Sequence, residues 1–88
     1  MKVLKTVKEL VDWKSKTNSS LGFIPTMGAL HNGHFSLILK SKEMCSLSVV
    51  SIFVNPTQFA PHEDLESYPK TLNADIESLN KLDVDVLF

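Results

Sequence analysis

Apolar and polar residues follow two rhythms along this chain, and the changes of rhythm divide it into elements. Val3 and Leu4 form a brief apolar lead-in that reads as a short strand. From Val7 the spacing becomes helical: Val7, Leu10, Val11 and Lys14 share one stripe, with Trp13 beside it as a packing anchor. Thr6 and Glu9 frame the start as a capping box, each side chain able to satisfy one orphan N–H of the first turn. This helix is expected to reach about Thr17, and Asn18-Ser19-Ser20 then turns the chain into a second apolar run, Leu21 to Ile24, that reads as a strand. Pro25 stops it. A fairly buried second helix is predicted from Phe35 to about Met44, with Phe35, Ile38, Leu39 and Lys42 on one face and Leu37 as a further apolar position. Cys45 closes it as a small core residue.

Ser48 to Val54 is the clearest strand, because β-branched and aromatic residues run nearly unbroken, as in a strand covered on both faces. It is expected to be central. After a polar loop from Thr57 to Asp64 and an irregular stretch to Pro69, Leu72, Ile76 and Leu79 mark a third helix, capped by Thr71 and ending around Lys81. Asp83 breaks it, and Val84 to Phe88 alternates as a third strand. The succession is βαβαβ with an N-terminal lead-in, which predicts an α/β, Rossmann-like three-layer fold: one half of a doubly wound parallel sheet, its second half not begun. Residues 1–88 are expected to form that single unit, with no linker or repeat.

Composition narrows the picture. With 88 residues, nine basic against ten acidic side chains and a formal charge of -1, the chain has no basic field for nucleic acid and no polybasic patch for a membrane. No apolar run approaches the ~20 residues of a membrane span. A single cysteine forms no internal disulfide, which fits a reducing, cytoplasmic setting.

The candidate chemistry sits between the second apolar run and the second helix, in GFIPTMGALHNGH, residues 22–34. Loops beyond the carboxyl ends of parallel strands, with a helix N-terminus behind them, offer N–H donors to an anion, and phosphate is the first expectation. His31 and His34 lie three residues apart, so both imidazoles can face one anion if His34 opens the helix. Gly33 between them leaves room for close backbone approach to a phosphate, and a bound polyphosphate would favour the protonated rings. Gln58, after the central strand, falls at the same end of the sheet and is a candidate ligand contact or a solvated loop amide. His31, His34 and His62 lack the spacing of a metal set, so no metal site is expected.

PTMGALHNGH, followed by SIFVNPTQF and YPKTLNADIESL, closely resembles the N-terminal part of the pantothenate synthetase family, the pantoate and β-alanine ligases of vitamin B5 synthesis, over essentially the whole chain. The His-x-Gly-His element alone points only to the wider nucleotidyltransferase superfamily; the residues before it and Asn55-Pro56-x-Gln58-Phe59 narrow the likeness. The resemblance implies that ATP lies along Met27, Gly28, Ala29, Leu30, His31, Asn32, Gly33 and His34, with His34 catalytic and His31 assisting at the phosphates. It implies that Gln58 contacts both pantoate and β-alanine, that Pro25 and Thr26 sit near the pantoate end, and that Mg2+ accompanies the phosphates. The implied reaction has two steps: the pantoate carboxylate attacks the α-phosphorus of ATP to give pantoyl adenylate and pyrophosphate, and the β-alanine amine then displaces AMP.

Family members continue through a second half-sheet, further phosphate contacts and a C-terminal domain. The chain is therefore expected to carry the ATP loop with negligible ligase activity alone. It is also expected to self-associate as a homo-oligomer through an edge of the Leu21 strand left open. The alternatives are another adenylyl-transferring enzyme of the superfamily, or a non-catalytic truncated fragment that only folds or self-associates.

Overall fold

Among the described residues four short strands carry the fold: β1 (Lys2–Val3), β2 (Leu21–Thr26), β3 (Leu47–Ile52) and β4 (Val86–Leu87). Three helices among the same residues accompany them: α1 (Val7–Ser15), α2 (Asn32–Met44) and α3 (Leu72–Lys81). The structure, a computed structural model, describes residues 1–53 and 71–88. All strand pairs are parallel and the order is β1-β4-β3-β2.

This order follows from right-handed crossovers. The chain leaves β1 at one edge, crosses the whole sheet to β2, then walks back through β3 to β4. The two directions of travel are opposite, so right-handed connections place α1 on one face and α2 with α3 on the other. The packing agrees. Ile24, Val50 and Leu87 meet Ile38 of α2 and Leu79 of α3 on one face, while Leu4, Val49 and Val86 meet Leu10 and Trp13 of α1 on the other. Ile38, Val49, Val50, Leu79 and Val86 are fully buried, each such side chain contributing roughly 1.5–3 kcal/mol of apolar burial. The three-layer α/β arrangement is thus present, and β3 lies between two strands as its composition demands.

Several local expectations shift. The capping box forms as read: Glu9 N–H donates to Thr6 Oγ1 at 3.1 Å and Thr6 N–H to Glu9 Oε1 at 3.1 Å. Of the α1 stripe, however, Val7 and Val11 are exposed, because the helix leans on the sheet through Leu10 and Trp13. Helix α2 begins at Asn32, a turn earlier than Phe35, and only Ile38 is fully buried; Leu37 and Leu39 point outward because a 3.6-residue period cannot keep five neighbours on one face. Cys45, expected in the core, is half-buried at the C-cap of α2. Thr71 does precede α3, but its side chain makes no cap hydrogen bond; it donates instead to Asp75 Oδ2 at 3.3 Å. Asp83 ends the α3 turn in the left-handed region (φ 56), and Lys42 Nζ donates to its carbonyl at 2.8 Å, tying α2 to that turn. Strand β2 is an edge strand among the described residues, as its open side required.

Candidate active site

Parallel strands bring their carboxyl ends together, so Thr26, Ile52 and Leu87 all terminate at one rim of the sheet. Helix α3 starts at the same rim, because Thr71 and Asp75 share a hollow of about 400 Å³ with Gly28, Ile52 and Leu87. The loop from Met27 to His31 crosses this rim and is fixed by hydrogen bonds from both sides.

Thr26 anchors its beginning. The hydroxyl donates to Ser51 C=O at 2.9 Å and accepts from Gly28 N–H at 3.2 Å. Gly28 (φ 86) and Ala29 (φ 52) then occupy the left-handed region in succession, a conformation that glycine adopts freely and alanine only at a cost. What rewards it is Asp75, whose carboxylate accepts from Ala29 N–H at 3.0 Å and Leu30 N–H at 2.9 Å. Asp75 is 4% exposed, and a buried carboxylate is tolerated when its oxygens are hydrogen-bonded.

The two histidines cap α2. His31 is the N-cap residue, and its Nδ1 accepts from Gly33 N–H at 3.1 Å. His34 Nδ1 accepts from His31 N–H at 3.1 Å, so the pair forms a capping box built from imidazoles. The ring centroids lie 4.1 Å apart with the planes tilted by 45°. A nitrogen that accepts carries no proton, so each neutral ring holds its proton on Nε2, on the side away from the backbone. Protonating either Nδ1 would break the cap. With Nδ1 accepting from the backbone, each ring presents its Nε2–H outward as a donor. Consistently, His34 titrates below the usual imidazole range: burial lowers it first, the neighbouring His31 lowers it further, and the Asp75 charge acts in the opposite direction.

The missing side chain of Gly33 also matters inside the loop. A Cβ there would meet His31 Cε1 at 2.9 Å and Nδ1 at 3.1 Å, so the absent side chain makes room for the His31 ring itself. The loop amides are likewise less available than the sequence suggests, since Gly28, Ala29, Leu30, His31 and Gly33 all donate within the chain.

A hollow of about 620 Å³ opens in front of these rings, within the range of small-ligand sites. Of the residues singled out from sequence, Pro25, Thr26, Met27, Gly28, Ala29, His31 and His34 border it. Leu30 turns inward against the core of Ile24, Ile38 and Val50. Asn32 and Gly33 are exposed in the first turn of α2. Gln58 and His62 lie outside the described residues. Ser51 and Phe53 also line the hollow, and Asp75 supports it from behind. The sequence did carry a sign of Asp75: with Leu72, Ile76 and Leu79 at i, i+4 and i+7, residue 75 falls at i+3, placing a carboxylate on the buried stripe of α3, where it must find donors.

Comparison with known proteins identifies the family. The family described as pantoate-beta-alanine ligase matches residues 2–88. A pantoate–beta-alanine ligase of Saccharomyces cerevisiae is 52% identical over the whole of this chain, which spans 30% of that protein. A pantothenate synthetase of Campylobacter curvus is 50% identical, again over the whole chain and 32% of the relative. Among solved structures, the pantoate-beta-alanine ligase of Francisella tularensis, complexed with beta-gamma ATP and beta-alanine, superposes with a TM-score of 0.87 at 48% identity, covering all of this chain and 34% of that one. The chain thus spans about a third of the length of the relatives it matches. A match that runs from Lys2 to Phe88 takes in both the histidine-capped loop and the helix whose carboxylate secures it, and on that ground the chain belongs to the pantoate–β-alanine ligase family.

Proposed function

We propose that the hollow before His31 and His34 receives the triphosphate of ATP, and that the chain supplies this part of a site that joins pantoate to β-alanine in the cytoplasm. In the first step a pantoate carboxylate oxygen bonds to the α-phosphorus, and the bond from that phosphorus to the bridging oxygen breaks, releasing pyrophosphate. In the second, the β-alanine nitrogen bonds to the pantoyl carbonyl carbon, the C–O bond to the phosphate breaks, AMP leaves and the nitrogen loses a proton. Neither step needs a covalent bond to the protein; both need positioning and dispersal of phosphate charge.

The two Nε2–H groups suit that task. Their Nδ1 atoms are pinned to the backbone, so the donors are aimed before the nucleotide arrives, the condition under which fixed donors contribute most. His34 is read as the charge-stabilising catalytic residue and His31 as its partner at the phosphates. Met27, Gly28 and Ala29 form the loop wall, Gly33 N–H holds the His31 ring, and Leu30 and Asn32 are assigned to the ATP segment on the strength of the family resemblance. Pro25 and Thr26, at the end of β2, are assigned to the pantoate end, and Gln58 to pantoate and β-alanine on the strength of the family resemblance. Among the described residues no cluster of three or more His, Cys, Asp or Glu side chains is placed to hold a metal ion, and Asp75 is committed to amides. On the family resemblance, magnesium is assigned to the substrate, carried on the ATP phosphates.

The observation that carries this reading is the pair of backbone-capped rings bordering one hollow at the strand ends. ATP titrated into the chain should shift the ring resonances of both histidines. His34→Ala removes one donor to a charged group, a loss of roughly 1.5–3 kcal/mol, and should weaken ATP binding by at least about tenfold. Unmoved ring signals, or equal affinity in the variant, would refute the assignment. The edge of β2, unpaired among the described residues, and the exposed Phe23 on it support self-association as well; sedimentation showing only monomer at high concentration would rule that out.

A further inference from the structure

We infer that Asp75 is the positioning residue of the nucleotide loop: its carboxylate occupies the loop amides as a built-in anion and so directs the phosphates to the imidazoles. The inference rests on the nucleotide reading above and adds to it a residue on a separate element, far along the chain from the His-x-Gly-His segment.

Position 75 lies on the apolar stripe of α3, where a hydrophobic side chain would stabilise the core directly. The chain instead buries a carboxylate there, with 4% exposure. Neither ion pair among the described residues, Lys40 with Glu43 or Lys81 with Glu77, involves it. Its oxygens are met by Ala29 N–H, Leu30 N–H and the Thr71 hydroxyl. Two of these three donors belong to the loop, and they converge only because Gly28 and Ala29 both take left-handed backbone angles. Asp75 and that strained turn therefore depend on each other.

The consequence reaches the site through one residue. Leu30 N–H is bound to Asp75, the next N–H along is that of His31, and it is bound to His34 Nδ1. Fixing Leu30 thus fixes the backbone that sets the His34 ring and its Nε2–H direction. A second consequence is electrostatic. In many phosphate loops the amides themselves bind the ligand; here Ala29 and Leu30 are filled by a negative group that lies behind Gly28, where a Cβ would come within 3.4 Å of Oδ2. An incoming triphosphate is kept off the loop floor and meets the two Nε2–H donors.

Asp75→Asn tests this, since one amide donor then faces an NH2 group that cannot accept. In the wild-type chain, Ala29 and Leu30 amides should exchange slowly, and the His34 ring nitrogens should show a single tautomer with the proton on Nε2. In the variant, Ala29 and Leu30 should lose protection while Val49, Val50 and Leu79 keep theirs. His34 should show mixed tautomers, and ATP should bind about tenfold or more weakly. Unprotected Ala29 and Leu30 amides in the wild type would overturn the proposal. So would a variant with unchanged ring signals and ATP affinity within about twofold of the wild type. If Asp75→Asn does not fold, the wild-type exchange of the Ala29 and Leu30 amides and the His34 tautomer decide the proposal by themselves. Failure of the wild-type chain to bind ATP would refute the nucleotide reading alone; the exchange and ring signals would still decide the role of Asp75.

Discussion

Gly28 and Ala29 are neighbours in the same turn, both with positive φ, yet opposite substitutions at the two positions should act in opposite directions. Gly28→Ala places a Cβ in the left-handed region, at a cost of about 1–2 kcal/mol. The new atom would lie 3.3 Å from Ile52 Cγ2 and 3.4 Å from Asp75 Oδ2. That is tight enough to need a shift of a few tenths of an ångström but is no collision, so the torsional term dominates. Ala29→Gly removes the same torsional cost, already present at φ 52, and gives back roughly 0.5–1 kcal/mol through the greater freedom of glycine in the unfolded chain. It should be neutral or mildly stabilising. Urea unfolding separates the two cases: with an m-value of about 1 kcal/mol/M for a chain of this size, Gly28→Ala should lower the midpoint by about 1–2 M and Ala29→Gly should leave it level or raise it. A midpoint for Gly28→Ala within about 0.3 M of wild type, or equal losses in both variants, would refute the left-handed turn and with it the meeting of the loop with Asp75.

Two further outcomes follow from the packing and the site. Leu79 is fully buried between α3 and the sheet, so Leu79→Ala should cost about 2–5 kcal/mol in chemical unfolding; a loss below about 1 kcal/mol would mean that this face of the sheet is poorly packed. The depressed titration of His34 means that folding favours its neutral form. Its stabilising contribution should be complete above about pH 6.5, the value for the unfolded chain, and be lost as pH falls through the lower folded value. A ring titration by NMR at or above about 6.5 would contradict the Nδ1 cap.

Much of the framework could be read from periodicity because it rests on local chemistry. The Thr6–Glu9 box, the β-branched run in β3 and the stripe of α3 are each settled within a few residues: the box forms as read, β3 runs Leu47–Ile52 rather than Ser48–Val54, and α3 buries Leu79 while Leu72 at its start is exposed. The errors have one physical origin, the neighbours that a residue meets from distant parts of the chain. Val7 and Leu37 look like core positions by spacing, but sheet geometry turns other residues of their helices inward. The histidine loop was visible as a motif, whereas its internal wiring was not: that Gly33 clears space for an imidazole, and that the loop amides are already taken, depends on backbone angles that one-dimensional spacing does not carry. Asp75 is the instructive miss. Its place on an apolar stripe signalled a buried carboxylate, but its partners lie across the sheet rim and are identified only in three dimensions.

The strand order also bears on how the molecule comes together. Lys2 and Val3 have their sheet partners at Val86 and Leu87, so β1 stays without its neighbour until β4 is in place. Until then, α1 has no completed surface on which to rest Leu10 and Trp13. Closing so long a loop adds little to the equilibrium cost, because the entropy grows only logarithmically with length, but non-local pairings slow folding. The β1–β4 pairing is thus the longest-range contact of this sheet and is expected to form late in refolding.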